Sequence, residues 1–261
     1  MNQLVSTEWL EKNIDKVKIL DASWHLPNSN RVPKNEFKLC HIKNSNFFDI
    51  DEYSNKESKL PHMLPSKERW EEIVSNLGIN NDDHIVVYDN SAVLSACRVW
   101  YSFLYFGHND NLISVLDGGL KKWLSEKRYV TNEVSKFLSS NYKATANSSL
   151  VINKIQVEEN IISKKFQLID ARSEKRFFGL EPELRKELKS GNILNSKNLP
   201  FQFMINEDNT FKNKQDLQNI FKDKEINFDK ELAFTCGSGV TACILGLANS
   251  IISGKKPIIY D

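Results

Sequence analysis

The sequence has few cysteines, no long apolar run and no excess of either charge. Its 261 residues include four cysteines, none in a CxxC pair of the kind that binds zinc, and too few for a disulfide scaffold. No stretch approaches the ~20 apolar residues of a membrane-spanning helix, and the first residues lack a secretory signal pattern. The 35 Lys and Arg against 34 Asp and Glu leave a net charge of +1, which gives no indication of nucleic-acid binding. These absences predict a soluble cytoplasmic protein with reduced thiols and no metal.

An internal repeat runs through the chain. Four segments of the first half recur in the same order in the second half, at offsets of about 150 residues. The pairs are ILDAS with LIDAR, HIKNSNF with NILNSKN, HIVVYDNSAVLSACR with LAFTCGSGVTAC, and ISVLDGGLKKW with KPIIYD. In the third pair Asp89 stands where Cys236 stands. Short apolar strands alternate with helical segments, so we predict two tandem α/β domains, each a mostly parallel sheet flanked by helices.

The predicted domains cover residues 1–130 and 151–261, and the polar, serine-rich residues 131–150 are interpreted as a linker. The second copy stops before the helix that closes the first, so we expect it to be C-terminally incomplete. Helix signals agree with this division. Ser66 precedes KERWEEIVSNLG, with Gly78 as a stop, and Asn153 with Gln156 forms a capping-box pattern.

Cys236 lies between a strand-like segment, ELAFT, and a segment whose apolar residues recur at helical spacing. Gly237 and Gly239 allow the backbone to curl, so that loop N–H groups through Val240 and Thr241 surround one anionic sulfur. A helix N-terminus stabilises a thiolate, so we predict that Cys236 is a nucleophile rather than a buried cysteine at a strand end. The other cysteines are interpreted as small buried hydrophobes: Cys40, Cys97 and Cys243.

The loop CGSGVTAC, in the second of two similar domains, resembles the 3-mercaptopyruvate sulfurtransferase branch of the rhodanese family. The resemblance covers nearly the whole chain and is carried by LDAS, FFDID, PHMLPS, LGI, VVYD, FGH, VLDGG, DAR, EPE and CGSGVTAC. Members that use thiosulfate carry basic residues directly after the cysteine, where this chain has Gly237 and Ser238. Phosphate-cleaving relatives need an arginine after five further residues, and Ala242 stands there. Phosphate monoester hydrolysis is therefore not expected.

Arginine is rare in this chain, with seven residues among the 35 basic ones, and three of the seven fall between Arg172 and Arg185. The planar guanidinium binds a carboxylate through two parallel hydrogen bonds. The resemblance implies that Arg176 and Arg185 hold the carboxylate and keto group of mercaptopyruvate. For Arg172, which follows the strand aspartate, we expect a structural salt bridge. The alternative for the binding arginines is a surface ion pair with a nearby glutamate: Glu174, Glu181 or Glu183.

His62 lies in PHMLPS, a Pro-flanked segment typical of a loop that reaches over a neighbouring domain. The resemblance implies that His62 and Asp51 complete a Ser-His-Asp relay with Ser238. In such a relay the carboxylate orients the imidazole, which lets the hydroxyl move a proton near the substrate. Without the resemblance, His62 is interpreted as a loop residue with no catalytic part.

Sulfur transfer from 3-mercaptopyruvate, through a persulfide on Cys236, is the activity that the resemblance implies. Pyruvate is released, and a small thiol, a thioredoxin-like protein or cyanide accepts the sulfur. No metal or organic cofactor is required, and no nucleic-acid or membrane partner is expected. Two alternatives stay open. One is a thiosulfate sulfurtransferase of the same fold, and the other is a sulfur-carrier or interaction module that turns over no small donor.

Overall fold

The computed structural model describes residues 3–183 and 190–261. The chain divides into two units. The first comprises Met1–Asn147 with Glu207–Thr210, and the second comprises Ser148–Asn206 with Phe211–Asp261.

The first unit is built on a parallel sheet. Its strands are β1 Leu4–Val5, β2 Lys18–Asp21, β3 His41–Ile42, β4 Ser45–Phe47, β5 Ile85–Tyr88, β6 Ile113–Leu116 and β7 Val130–Thr131. Its helices are α1 Thr7–Asn13, α2 Pro33–Leu39, α3 Ile50–Tyr53, α4 Lys67–Asn76, α5 Ala96–Tyr105 and α6 Gly119–Ser125. Five strands lie in the order β1-β6-β5-β2-β4, every pair parallel, and β3 pairs with β7 in an antiparallel ribbon.

The second unit repeats this topology. Its strands are β8 Val151–Ile152, β9 Phe166–Asp170, β10 Lys197–Asn198, β11 Glu231–Thr235 and β12 Ile258–Tyr260. Its helices are α7 Lys154–Ser163, α8 Glu174–Phe177, α9 Lys214–Asp223 and α10 Ala242–Ser253. The strand order is β10-β9-β11-β12-β8, all parallel, and read from the β8 edge it matches the first sheet strand for strand. The predicted α/β class with two similar domains is confirmed.

Apolar runs explain the central strands. All four residues of β5 and all four of β6 are buried, as expected for parallel strands covered by helices. Apolar side chains of these strands form one cluster with those of the covering helices; its members include Val86 of β5, Leu10 of α1 and Trp123 of α6. Full burial of a side chain of this size stabilises the fold by roughly 2 kcal/mol.

The predicted helix boundaries are confirmed. The Ser66 hydroxyl accepts the Arg69 N–H at the start of α4 (3.2 Å), and Gly78 takes a positive φ of 69° just beyond its end. At the start of α7, Asn153 and Gln156 form the reciprocal capping box, with hydrogen bonds of 3.0 and 2.9 Å.

The segment interpreted as a linker is held along the first unit as far as Asn147. Tyr142 is fully buried, and its N–H donates to the Ser75 hydroxyl at 3.0 Å. Further on, the Thr145 N–H donates to the Phe106 carbonyl at 2.9 Å. The composition of this segment does not predict that it packs on the first unit, because a segment fixed by backbone hydrogen bonds needs no periodic apolar pattern.

Candidate active site

Cys236 directly follows β11, and the neighbouring strand β9 ends at Asp170, two residues before Arg172. Thr235 pairs with Asp170 in the parallel register, so the two chain segments leave the sheet at the same edge. From β9 the chain moves outward to β10 and then returns past β9 to β11. Open parallel sheets bind ligands outside the carboxyl ends of their strands at such a reversal. The fold therefore places the cysteine where a ligand site is expected.

A short loop carries Cys236 from the strand into α10. The thiol is half-buried, and Gly239 adopts φ 71°, the left-handed region that glycine reaches without strain. The loop closes on the helix through the Cys243 N–H to the Val240 carbonyl and the Ile244 N–H to the Thr241 carbonyl, both 3.1 Å. Cys236 thus lies on the loop that leads into the N-terminal end of α10, a twelve-residue helix.

The loop residues predicted to cradle the sulfur differ in exposure. Gly239 and Val240 are buried and anchor the loop, whereas Gly237, Ser238 and Thr241 are half-buried. The half-buried positions are therefore partly accessible to solvent. Their roles in binding or proton transfer remain predictions.

Two of the remaining cysteines are buried, as predicted. Cys97 and Cys243 are 0% exposed, and the Cys243 thiol contacts the Gly239 carbonyl at 3.1 Å. Cys40 is half-buried rather than buried. Burial and the nearby charge of Asp21 raise the pKa of the Cys40 thiol, so it stays protonated and weakly nucleophilic at neutral pH.

The expected salt bridge of Arg172 is confirmed. Its Nε lies 3.0 Å from Oδ1 of Asp170, and its Nη2 lies 2.6 Å from Oδ2. Nη1 also donates to Glu183 at 2.6 Å. Sequence reasoning named Glu183 only as a surface partner, yet its side chain is 1% exposed. No local pattern marks it as buried.

Arg176 lies on α8 and donates from Nη2 to the second carboxylate oxygen of Glu183. The ion pair weighed as an alternative is therefore present, although it is buried on the glutamate side. The Arg176 side chain is 22% exposed. Its Nε is buried and has no hydrogen-bond partner in the part of the chain that the structure describes. The other predicted binding arginine, Arg185, lies outside the described residues.

Asp51 and His62, predicted as partners, are hydrogen-bonded in the first unit. The His62 Nε2 lies 3.0 Å from Oδ1 of Asp51, and the Trp24 indole N–H donates to Oδ2 at 3.0 Å. His62 is 4% exposed at φ 60°, and Arg98 donates to its carbonyl at 2.6 Å. Asp51 is thus arranged to orient the imidazole. Ser238 belongs to the second unit, and its part in the relay remains a prediction.

The equivalent loop of the first unit carries Asp89, as the repeat predicts. Its two carboxylate oxygens accept the N–H groups of Ser91 and Ala96, each at 2.8 Å. Burial raises the pKa of Asp89 to about 7, against the lowering effect of these hydrogen bonds. An internal carboxylate therefore occupies loop N–H groups in this domain, and the position carries no thiol.

Within residues 3–183 and 190–261, no three His, Cys, Asp or Glu side chains are grouped as metal ligands. In the same ranges, none of the helices has the length and apolar character needed to cross a bilayer.

Comparison with known proteins gives consistent relatives. The rhodanese-like domain family matches residues 6–126 and 154–261. Thiosulfate sulfurtransferase of Rattus norvegicus is 40% identical over 99% of this chain and 89% of its own length. 3-Mercaptopyruvate sulfurtransferase of Homo sapiens is 35% identical over the same shares. The structure of SseA from Escherichia coli, a 3-mercaptopyruvate sulfurtransferase, matches with a TM-score of 0.91 at 31% identity and covers 100% of this chain and 98% of its own.

The fold and these relatives define a protein with two rhodanese-like domains. The chain belongs to the rhodanese-like family and is a sulfurtransferase.

Proposed function

We propose that the protein is a 3-mercaptopyruvate sulfurtransferase whose nucleophile is Cys236. The residues that follow the cysteine are the observation that carries the choice of donor. Thiosulfate is a dianion and would be favoured by cations directly after the nucleophile, whereas Gly237 and Ser238 stand there. A monocarboxylate donor needs only a guanidinium to bind it, and Arg176 has donors beyond the one that Glu183 occupies.

The first half-reaction begins with attack of the Cys236 thiolate on the sulfur of 3-mercaptopyruvate. A sulfur–sulfur bond forms, the carbon–sulfur bond breaks, and its electron pair leaves as the enolate of pyruvate. Arg176 and Arg185 bind the carboxylate and the keto oxygen, where negative charge develops. Loop N–H groups at the start of α10 stabilise the persulfide that remains on Cys236.

Protonation of the enolate carbon completes pyruvate. We assign delivery of this proton to Ser238, the serine of the predicted relay, whose other two members are His62 and Asp51; within the first unit, Asp51 orients the His62 imidazole. An acceptor thiol, a thioredoxin-like protein or cyanide then attacks the outer sulfur and regenerates the Cys236 thiolate. The donor and the acceptor are the partners required, and we place the enzyme in the cytoplasm.

A thiosulfate donor is the second candidate, because the rat relative is named for it at 40% identity. Pyruvate release from 3-mercaptopyruvate with a thiol acceptor, run beside thiosulfate plus cyanide on one preparation, separates the two. We expect pyruvate formation that exceeds thiosulfate turnover and is abolished in Cys236→Ser, with Cys243→Ser as the matched control. Turnover of thiosulfate alone contradicts the proposed donor. If the protein turns over neither donor and binds stably to a partner that donates persulfide sulfur, the sulfur-carrier alternative is favoured.

A further inference from the structure

A series of buried ion pairs connects Arg176 to the parallel sheet of the second unit. It begins at Asp170, the last residue of β9, whose side chain is 2% exposed. Arg172 binds this carboxylate along one edge of its guanidinium and also donates from Nη2 to the Gly191 carbonyl at 2.8 Å. Arg172 is therefore fixed to the sheet by several hydrogen bonds, and its own position is determined by β9.

Glu183 connects Arg172 to Arg176 in this series of ion pairs. One of its oxygens accepts Nη1 of Arg172 at 2.6 Å, and the other accepts Nη2 of Arg176. Burial alone would raise the pKa of Glu183, but the hydrogen bond from Arg176 and the charges of both arginines outweigh it and hold the pKa below its usual value. Two carboxylates and two guanidinium groups then balance to no net charge.

This arrangement engages only part of Arg176. Glu183 takes Nη2, and the buried Nε has no hydrogen-bond partner among the described residues. The Arg176 side chain is 22% exposed, so part of it stays accessible while Glu183 holds Nη2. Because Arg176 is on a four-residue helix, α8, its backbone gives little support of its own.

We propose that Glu183 is a positioning residue, which holds the Arg176 guanidinium so that its remaining donors meet the carboxylate of the sulfur donor. This inference rests on the binding role proposed for Arg176. Glu183 touches no substrate in this account. It acts through Arg176 and is itself fixed through Arg172 to the end of β9.

The test replaces Glu183 by its isosteric amide. In Glu183→Gln we expect the KM for 3-mercaptopyruvate to rise about tenfold or more while kcat changes by less than about threefold, because a binding donor is misplaced and the nucleophile is untouched. The matched control is Glu181→Gln, which removes a carboxylate of the same segment that is 44% exposed and pairs with Lys175. The control should leave KM unchanged. An unchanged KM in Glu183→Gln overturns the proposal.

A double-mutant cycle separates positioning from a general structural role. Arg176→Lys keeps the charge and loses the planar fork, so it should raise KM by itself. If Glu183 acts through Arg176, adding Glu183→Gln to Arg176→Lys gives little further increase. Increases that multiply contradict the proposal. If Glu183→Gln does not fold, Glu183→Asp takes its place in the test. Because the aspartate carboxylate is one methylene shorter, it loses one of the two arginine partners, and KM should rise. A KM equal to that of the wild type contradicts the inference.

Binding in the Cys236→Ser background keeps this test apart from the donor assignment. Calorimetric titration with 3-mercaptopyruvate measures affinity where no sulfur can be transferred. Weaker binding on adding Glu183→Gln supports the positioning role, and equal binding overturns it. Absence of any binding to Cys236→Ser contradicts both the proposed donor and the inference.

Discussion

Asp89 should make the stability of this protein fall as the pH rises through the neutral range. Asp89 is 5% exposed directly after β5, where its carboxyl group accepts two backbone N–H groups. Burial, with a contribution from the charge of Asp21, raises its pKa from 3.8 to about 7 in the folded protein. The folded state therefore holds a proton that the unfolded state has already released near pH 4.

The magnitude follows from the pKa difference. A shift from 3.8 to about 7 corresponds to about 4 kcal/mol at 1.36 kcal/mol per unit. Because the folded pKa is raised, the stabilising contribution is fully present below the unfolded pKa and is lost as the pH rises through about 7. Between pH 5 and 8 the loss is roughly 2 to 3 kcal/mol.

Urea unfolding of the wild type and of Asp89→Asn, from pH 5 to 8, measures this contribution. Asparagine cannot accept both N–H groups, so the variant should be the less stable protein at pH 5. The stability advantage of the wild type should shrink by roughly 2 to 3 kcal/mol at pH 8. Asp21 is present in both chains, so most of its own titration cancels. A difference that is independent of pH, or that grows with pH, refutes the reasoning.

Three further substitutions test other parts of the structure. Gly246→Ala places a Cβ 2.8 Å from the Cβ of Pro257, so α10 or the segment before β12 must shift. We expect the free energy of unfolding, measured in urea, to fall by about 1 to 3 kcal/mol. An unfolding midpoint equal to that of the wild type contradicts this packing. Asn153→Ala removes the capping box of α7 and should lower the free energy of unfolding by about 1 kcal/mol in the same assay. An unchanged free energy of unfolding contradicts the role of this cap. Asp51→Asn loses the charge that orients His62, so kcat for pyruvate release should fall about tenfold or more, and an unchanged kcat contradicts the relay.

The end of each central strand could be predicted from the sequence. An apolar run followed by Asp21, Asp170 or Cys236 indicates a buried parallel strand whose next residues leave the sheet at its carboxyl edge. The repeat added the equivalence of Asp89 and Cys236, which the matched strand orders of the two sheets bear out. These inferences succeed because strand periodicity, turn residues and caps are local properties.

The contacts that support the site could not be predicted in this way. Glu183 bridges Arg172 and Arg176 only because the loop after α8 folds back towards the end of β9. The indole of Trp24 likewise reaches Asp51 across 27 positions of the chain. Both contacts depend on tertiary packing between segments that have no shared pattern, so residue type alone gave Glu183 an exposed position that the structure contradicts.

Mass spectrometry of the protein after exposure to 3-mercaptopyruvate without an acceptor tests the central claim most directly. We predict one added sulfur atom on the peptide that contains Cys236, released pyruvate in equal amount, and loss of the added sulfur when a thiol is supplied. Cys236→Ser should gain none, and Cys243→Ser should behave as the wild type. Pyruvate release without sulfur on Cys236, or sulfur carried on another cysteine, would contradict the account.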